Sequence, residues 1–122
     1  MDNPLEKVIG NWQALSGTVA GMALGEEVVS ATTLCIGPHS YEVNLAGNID
    51  RGSCEFESGT MPIKMKIVGE DGPNAGKTYL AILEFVKADE IRVAYDLSGS
   101  TYPFCFDSTT DKHNYVASFQ RI

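Results

Sequence analysis

Several groups of residues in this chain have types and spacings that can do chemistry. Gly76-Lys77-Thr78 has the tail of a phosphate-binding loop, in which backbone N–H groups cradle phosphates and the lysine neutralises them. That loop also requires a glycine five positions before Gly76, where this chain has Asp71. It requires a following helix as well, whereas residues 78–87 are rich in β-forming types. A carboxylate beside phosphates repels them, so the segment reads as a solvated hairpin loop whose glycines supply unusual φ values. His39 and His113 are the two histidines, and both fall in turns or loops. No G-x-S-x-G elbow supplies a nucleophile for either. Asp107, Asp111 and His113 lie close together, but a metal site asks for more ligands at regular spacing, so no metal and no cofactor is expected. The acidic groups Glu26-Glu27 and Glu55-x-Glu57 have the types for acid–base work, yet they read as a solvated face. Cys35, Cys54 and Cys105 are odd in number and lack C-x-x-C spacing, which argues against a disulfide framework or a zinc site. They read as small packing residues or thiols of a reducing compartment. No catalytic residue is assigned, and the chain is expected not to be an enzyme.

What remains is binding, and binding depends on the elements that would build a site. The 122 residues make one domain over 1–122, with 43% hydrophobic and 20% charged side chains, enough for a packed core. The net charge of -7 excludes a phosphate-backbone binder, which needs clustered basic residues, and argues against docking on anionic membranes. The N-terminal residues Met1 to Lys7 carry no basic stretch followed by an apolar run, and no apolar run approaches the ~20 residues that span a bilayer. A cytoplasmic location is the resulting expectation.

Dense turn residues separate short runs of period-two pattern, which is the signature of an all-β barrel or sandwich. Asn3 as N-cap and Pro4 at the first helical position suit one helical turn over residues 4–9. Strands are expected at 11–19, 33–36, 40–45, 50–57, 62–68, 78–87, 90–96 and 114–122. The connection 20–32 is long and holds Glu26-Glu27-Val28-Val29, a short turn of helix. About eight strands joined mostly by hairpins suit an antiparallel up-and-down barrel, which closes on itself and leaves no exposed edge.

Gly10-Asn11-Trp12, after a helical turn and at the head of the first strand, resembles the Gly-x-Trp motif of lipocalins. The resemblance implies that Arg121, on the last strand, packs across the Trp12 ring and closes the barrel floor. Gly72-Pro73-Asn74-Ala75-Gly76-Lys77-Thr78 resembles the G-P-x-x-G-K-T segment of a lipocalin-like paralogous family of planctomycete bacteria. The strand led by Pro62 and running to Ile67 is similar to that family's proline-led strand. Asp89-Glu90-Ile91-Arg92-Val93 resembles its G-D-x-L-R-I hairpin, with Ala88 in place of glycine. Tyr102-Pro103-Phe104 departs from the family's Arg-Pro before a Phe. Across the whole chain the resemblance implies a lipocalin-like barrel and ligand binding, and no particular activity.

A barrel interior takes one face of every strand. The face with Tyr41 and Val43, Met65 and Ile67, and Val93 and Tyr95 is expected inside, because the opposite faces carry Glu42, Lys64, Lys66 and Arg92. Residues 78–87 are apolar on both faces, and Leu80/Ile82 against Ala81/Leu83 is undecided. The other strand aromatics, Phe56, Tyr79, Phe85, Phe104, Phe106 and Phe119, either line a cavity or fill it. The leading expectation is non-catalytic binding of a small, partly apolar molecule in the barrel mouth. Tyr41, Val43, Met65, Ile67, Val93, Tyr95 and Tyr102 would contact it, and the 20–32 connection would act as a lid. The alternative is an interaction module, a filled barrel that binds a protein or forms a homodimer through Tyr79, Leu83 and Phe85.

Overall fold

The computed structural model describes residues 7–19, 21–45, 47–57, 62–72, 75–96, 98–99, 101–103, 106 and 114–122. The strands in chain order are β1 (Gly10–Val19), β2 (Met22–Ala23), β3 (Thr32–Ile36), β4 (Ser40–Leu45), β5 (Asn48–Glu57), β6 (Ile63–Asp71), β7 (Thr78–Lys87), β8 (Glu90–Asp96) and β9 (Asn114–Arg121). One short helix, α1 (Glu26–Ser30), lies between β2 and β3. Lys7 and Val8 are helical too, the end of the expected N-terminal turn; its residues 4–6 lie outside the described ones. So do Cys105, Phe104, Asp107, Asp111 and His113, and Pro73 and Asn74 of the G-P-x-x-G-K-T segment.

Each strand from β3 to β9 pairs antiparallel with its sequence neighbour, and β1 pairs with both β3 and β9. The result is a closed up-and-down barrel of eight strands, with β2 paired beside the end of β1. Among the described residues no helix is long and apolar enough to cross a membrane.

The alternation expected for β4, β6 and β8 holds: Tyr41, Ile63, Met65, Ile67, Ile91, Val93 and Tyr95 are buried inside. On β7 the inner row is Ala81 and Leu83, with Tyr79 and Phe85 packed against the same core. Tyr79, Leu83 and Phe85 therefore point into the barrel and are not a surface for a partner. The outer row of β7 stays apolar for a different reason. Ile82 pairs with Lys64 on β6 and Ala94 on β8, and both Ile82 and Ala94 are buried. Tyr102 and Phe106, which follow β8, lie on this outer face: the Lys64 ammonium stands 5.1 Å from the Tyr102 ring centre, and the Arg92 guanidinium 4.6 Å from that of Phe106. Asp96 ends β8. It is outward-facing as its phase predicts, yet only 2% exposed. Its carboxylate accepts from Ser98 N at 3.1 Å, Ser98 Oγ at 2.7 Å and Thr101 N at 2.9 Å, so the buried charge is solvated by the turn it anchors.

The Gly76-Lys77-Thr78 loop is a hairpin connection, not a phosphate cradle. Thr78 starts a strand, and the N–H groups of Ala75 and Gly76 donate to Gly72 O and Gly69 O at 3.1 and 2.9 Å. Those amides are committed to the turn.

Candidate functional site

The two ends of the barrel differ, and the difference is set by a few side chains. At the end where β1 begins and β9 finishes, Trp12 is fully buried, and its Nε1 donates to Val8 O at 2.9 Å. The Arg121 guanidinium lies 4.2 Å from the indole centre, as the resemblance implied. It also donates to the carbonyls of Ile9, at 3.0 Å, and Lys7. One arginine thus covers an apolar ring and ties down the N-terminal turn. A Cβ at Gly10 would stand 2.6 Å from Arg121 Nη1, and φ there is +143°. The Gly-x-Trp spacing leaves the guanidinium its passage. This end is closed.

The opposite end holds a cavity of about 290 Å³. Its walls come from the starts of β3, β5, β7 and β9 and the ends of β4 and β8: Thr32, Asp50, Tyr79, Tyr115, Leu45 and Tyr95. Further walls are Leu34 and Ile36 of β3, Met65 and Ile67 of β6, and Phe119 of β9. Tyr41 and Val43 of β4 complete it. Five of the residues expected to meet a ligand, Tyr41, Val43, Met65, Ile67 and Tyr95, are therefore brought together. Val93 and Tyr102 are not. Val93 is fully buried in solid packing between its ladder neighbours Leu83 and Ala117, and Tyr102 sits outside the barrel against Lys64. Thr32, Leu34, Ile36, Leu45, Asp50 and Tyr115 complete the cavity and were not assigned to it from sequence, and Tyr79 and Phe119, for which lining and filling were both open, line it. Asp50 was recoverable in principle, because it shares the period-two phase of Cys54 and Phe56 on β5.

The helix α1 sits at this end. β1 leaves β3 after the Gln13–Thr33 pair but follows β9 on to the Val19–Tyr115 pair, with an irregularity between Ala14 and Ser16. The two strands splay, and α1 fills the gap. Val29 packs against the core. The carbonyls at the end of the helix, which have no partner within it, accept from side chains of the barrel. Gln13 Nε2 reaches Val29 O at 3.3 Å, Ser30 O at 3.2 Å and Thr32 O at 3.0 Å, and Thr32 Oγ1 donates to Val28 O at 2.6 Å. The C-terminal side of α1 is thus tied to the barrel by Gln13 and Thr32.

The cavity's polar groups are four phenols, one threonine hydroxyl and the Asp50 carboxylate. Tyr95 and Tyr115 stack with ring centres 5.5 Å apart and planes tilted by 32°. Burial pushes the Tyr41 phenol up to about 12, and the charge on Asp50 adds to this. Burial also raises Tyr79, Tyr95 and Tyr115, with Asp50 contributing at Tyr79. At neutral pH these phenols are hydrogen-bonding groups and not bases or nucleophiles. An alkaline absorbance titration of the folded protein should accordingly show phenolate formation by Tyr41, Tyr79, Tyr95 and Tyr115 above the usual ~10, with Tyr41 near 12. In the unfolded chain these phenols ionise near ~10, so their contribution to stability is complete below that pH and is lost as pH rises through the folded values. All tyrosines ionising together near pH ~10 in a protein that stays folded would contradict the cavity's burial.

Buried Cys54 hydrogen-bonds Ser40 O at 3.3 Å, and burial pushes its thiol up to about 11, while Cys35 is exposed; neither forms a disulfide. Among the described residues no cluster of His, Cys, Asp and Glu could hold a metal. Comparison with protein-family models, curated proteins and solved structures finds no match for this chain.

Proposed function

We propose that this protein is a non-catalytic, lipocalin-like binding protein that takes a small, partly apolar molecule in the barrel mouth. The observation that carries the reading is the 290 Å³ cavity at the end of the barrel opposite Trp12. Ligand pockets begin near ~300 Å³ and are mostly apolar with a few placed polar groups. An apolar cavity of ~150 Å³ is already enough for benzene. Aliphatic walls supply the apolar body of such a site, and neutral phenols supply orientation. The cavity favours this reading over an interaction module, for which a filled barrel was the expectation. Kinship with the lipocalin-like planctomycete family is part of the same proposal. Its support is the closed end, where Gly10, Trp12 and Arg121 stand as the resemblance to lipocalins implies.

Native mass spectrometry of freshly purified protein, set beside its denatured mass, tests the proposal. The expected result is an excess mass, or an added one after incubation with small aromatic alcohols, that is lost on denaturation. A dimer that takes up none of them would replace this reading with the interaction module.

A further inference from the structure

The chemistry around the cavity narrows the class of molecule, given that the cavity binds one. Among the described residues Asp50 is the charged side chain of the wall, and no lysine, arginine or histidine lines it. The wall also carries five aromatic rings, those of Tyr41, Tyr79, Tyr95, Tyr115 and Phe119. Ring faces are negative, and a cation within ~6 Å of a ring centre is attracted, more strongly when water is excluded. Around the same end stand Glu26 and Glu27 of α1 and Glu70 and Asp71 of β6. Among the described residues the basic side chains there are Lys77 and Arg51, and Arg51 is paired with Glu42 at 2.5 Å. The chain as a whole carries -7. An excess of one sign of charge around a mouth raises the local concentration of ions of the other sign.

We infer that the cavity selects a small organic cation, an ammonium group on a short apolar body, with Asp50 as its counter-ion and the tyrosine rings around the charge. The aliphatic wall of Leu34, Ile36, Met65 and Ile67 takes the apolar body. Burial is the main cause that raises the Tyr41 and Tyr79 phenols, and the Asp50 charge, which a bound cation would neutralise, adds to it.

Three probes of one shape and different charge separate the possibilities: 3-phenylpropylamine, 3-phenylpropan-1-ol and 3-phenylpropionate, measured by calorimetry at neutral pH. The amine should bind at least tenfold more tightly than the alcohol, and the carboxylate more weakly than either. In Asp50→Asn the amine should lose most of that advantage, while the alcohol stays within about threefold of its wild-type affinity, which also shows that the cavity is intact. An alcohol that binds as well as the amine, or an amine indifferent to Asp50→Asn, would overturn the cation inference and leave cavity binding standing. If none of the three binds, the cation inference and the binding reading fall together.

Discussion

Replacing Trp12 by alanine is expected to cost about 3–5 kcal/mol, the range for deleting a large buried aromatic. The indole is fully buried, and three separate interactions end on it. Removing it leaves a void against Val8, deprives Val8 O of its 2.9 Å donor, and strips the Arg121 guanidinium of the ring it covers. The cost is large against a typical total of ~5–15 kcal/mol. Thermal unfolding should fall by more than ~10 °C in a chain of this size. Trp12→Phe separates the contributions, because it keeps most of the apolar volume and the face beneath Arg121 but loses the N–H. It should cost roughly 1–3 kcal/mol, the range for an unsatisfied buried carbonyl. A loss below ~1 kcal/mol in Trp12→Ala would mean that the closed end is not packed as described. Ligand uptake at the far end should persist in Trp12→Phe, since Trp12 itself is not part of the cavity wall.

The legible parts of this fold are those where one local rule acts alone. Strands β4, β6 and β8 have charged residues on one face and apolar ones on the other, so burial and period two agree on which way Tyr41, Met65 and Tyr95 point. Trp12 and Arg121 are separated by most of the chain, yet both sit at strand ends on the closing pair, where a spacing motif is informative. β7 was illegible for a physical reason. Its outer face is covered as well, so Ile82 is as buried as Leu83 and the alternation vanishes. The cavity was half legible. Phase identifies which face turns inward, but not the depth at which packing stops, and Val93 and Tyr95 share a face with different fates. Tyr102 was misplaced because its segment has no periodicity to give it a face. The structural importance of Gly52 left no mark in the sequence pattern, where it is one small residue in the middle of a strand.

Gly52→Ala should destabilise the protein by at least ~3 kcal/mol, above the usual cost of one added methyl in a core. Gly52 lies on the inner row of β5, paired with Tyr41 on β4 and Gly69 on β6, next to an irregularity in the β5–β6 register. A Cβ there would sit 2.0 Å from Val68 O and 2.9 Å from Tyr41 Cε1. A ring edge can swing away, but a backbone oxygen cannot retreat without pulling β6 off β5. The substitution therefore breaks the ladder, or drives the Tyr41 ring into the cavity, or does both. Gly25→Ala is the matched control. Its φ of -62° is ordinary and its Cβ would meet nothing within 4 Å, so its cost should stay within ~0.5 kcal/mol. Urea midpoints of the two variants decide the matter, and equal midpoints would refute the close approach of β5 and β6. The functional consequence follows from the same geometry. The Tyr41 ring has its place in the cavity wall because the residue across from it has no side chain. A Gly52→Ala protein that still folds should take up the phenylpropyl probes at least tenfold more weakly, even though Gly52 itself is not part of the wall.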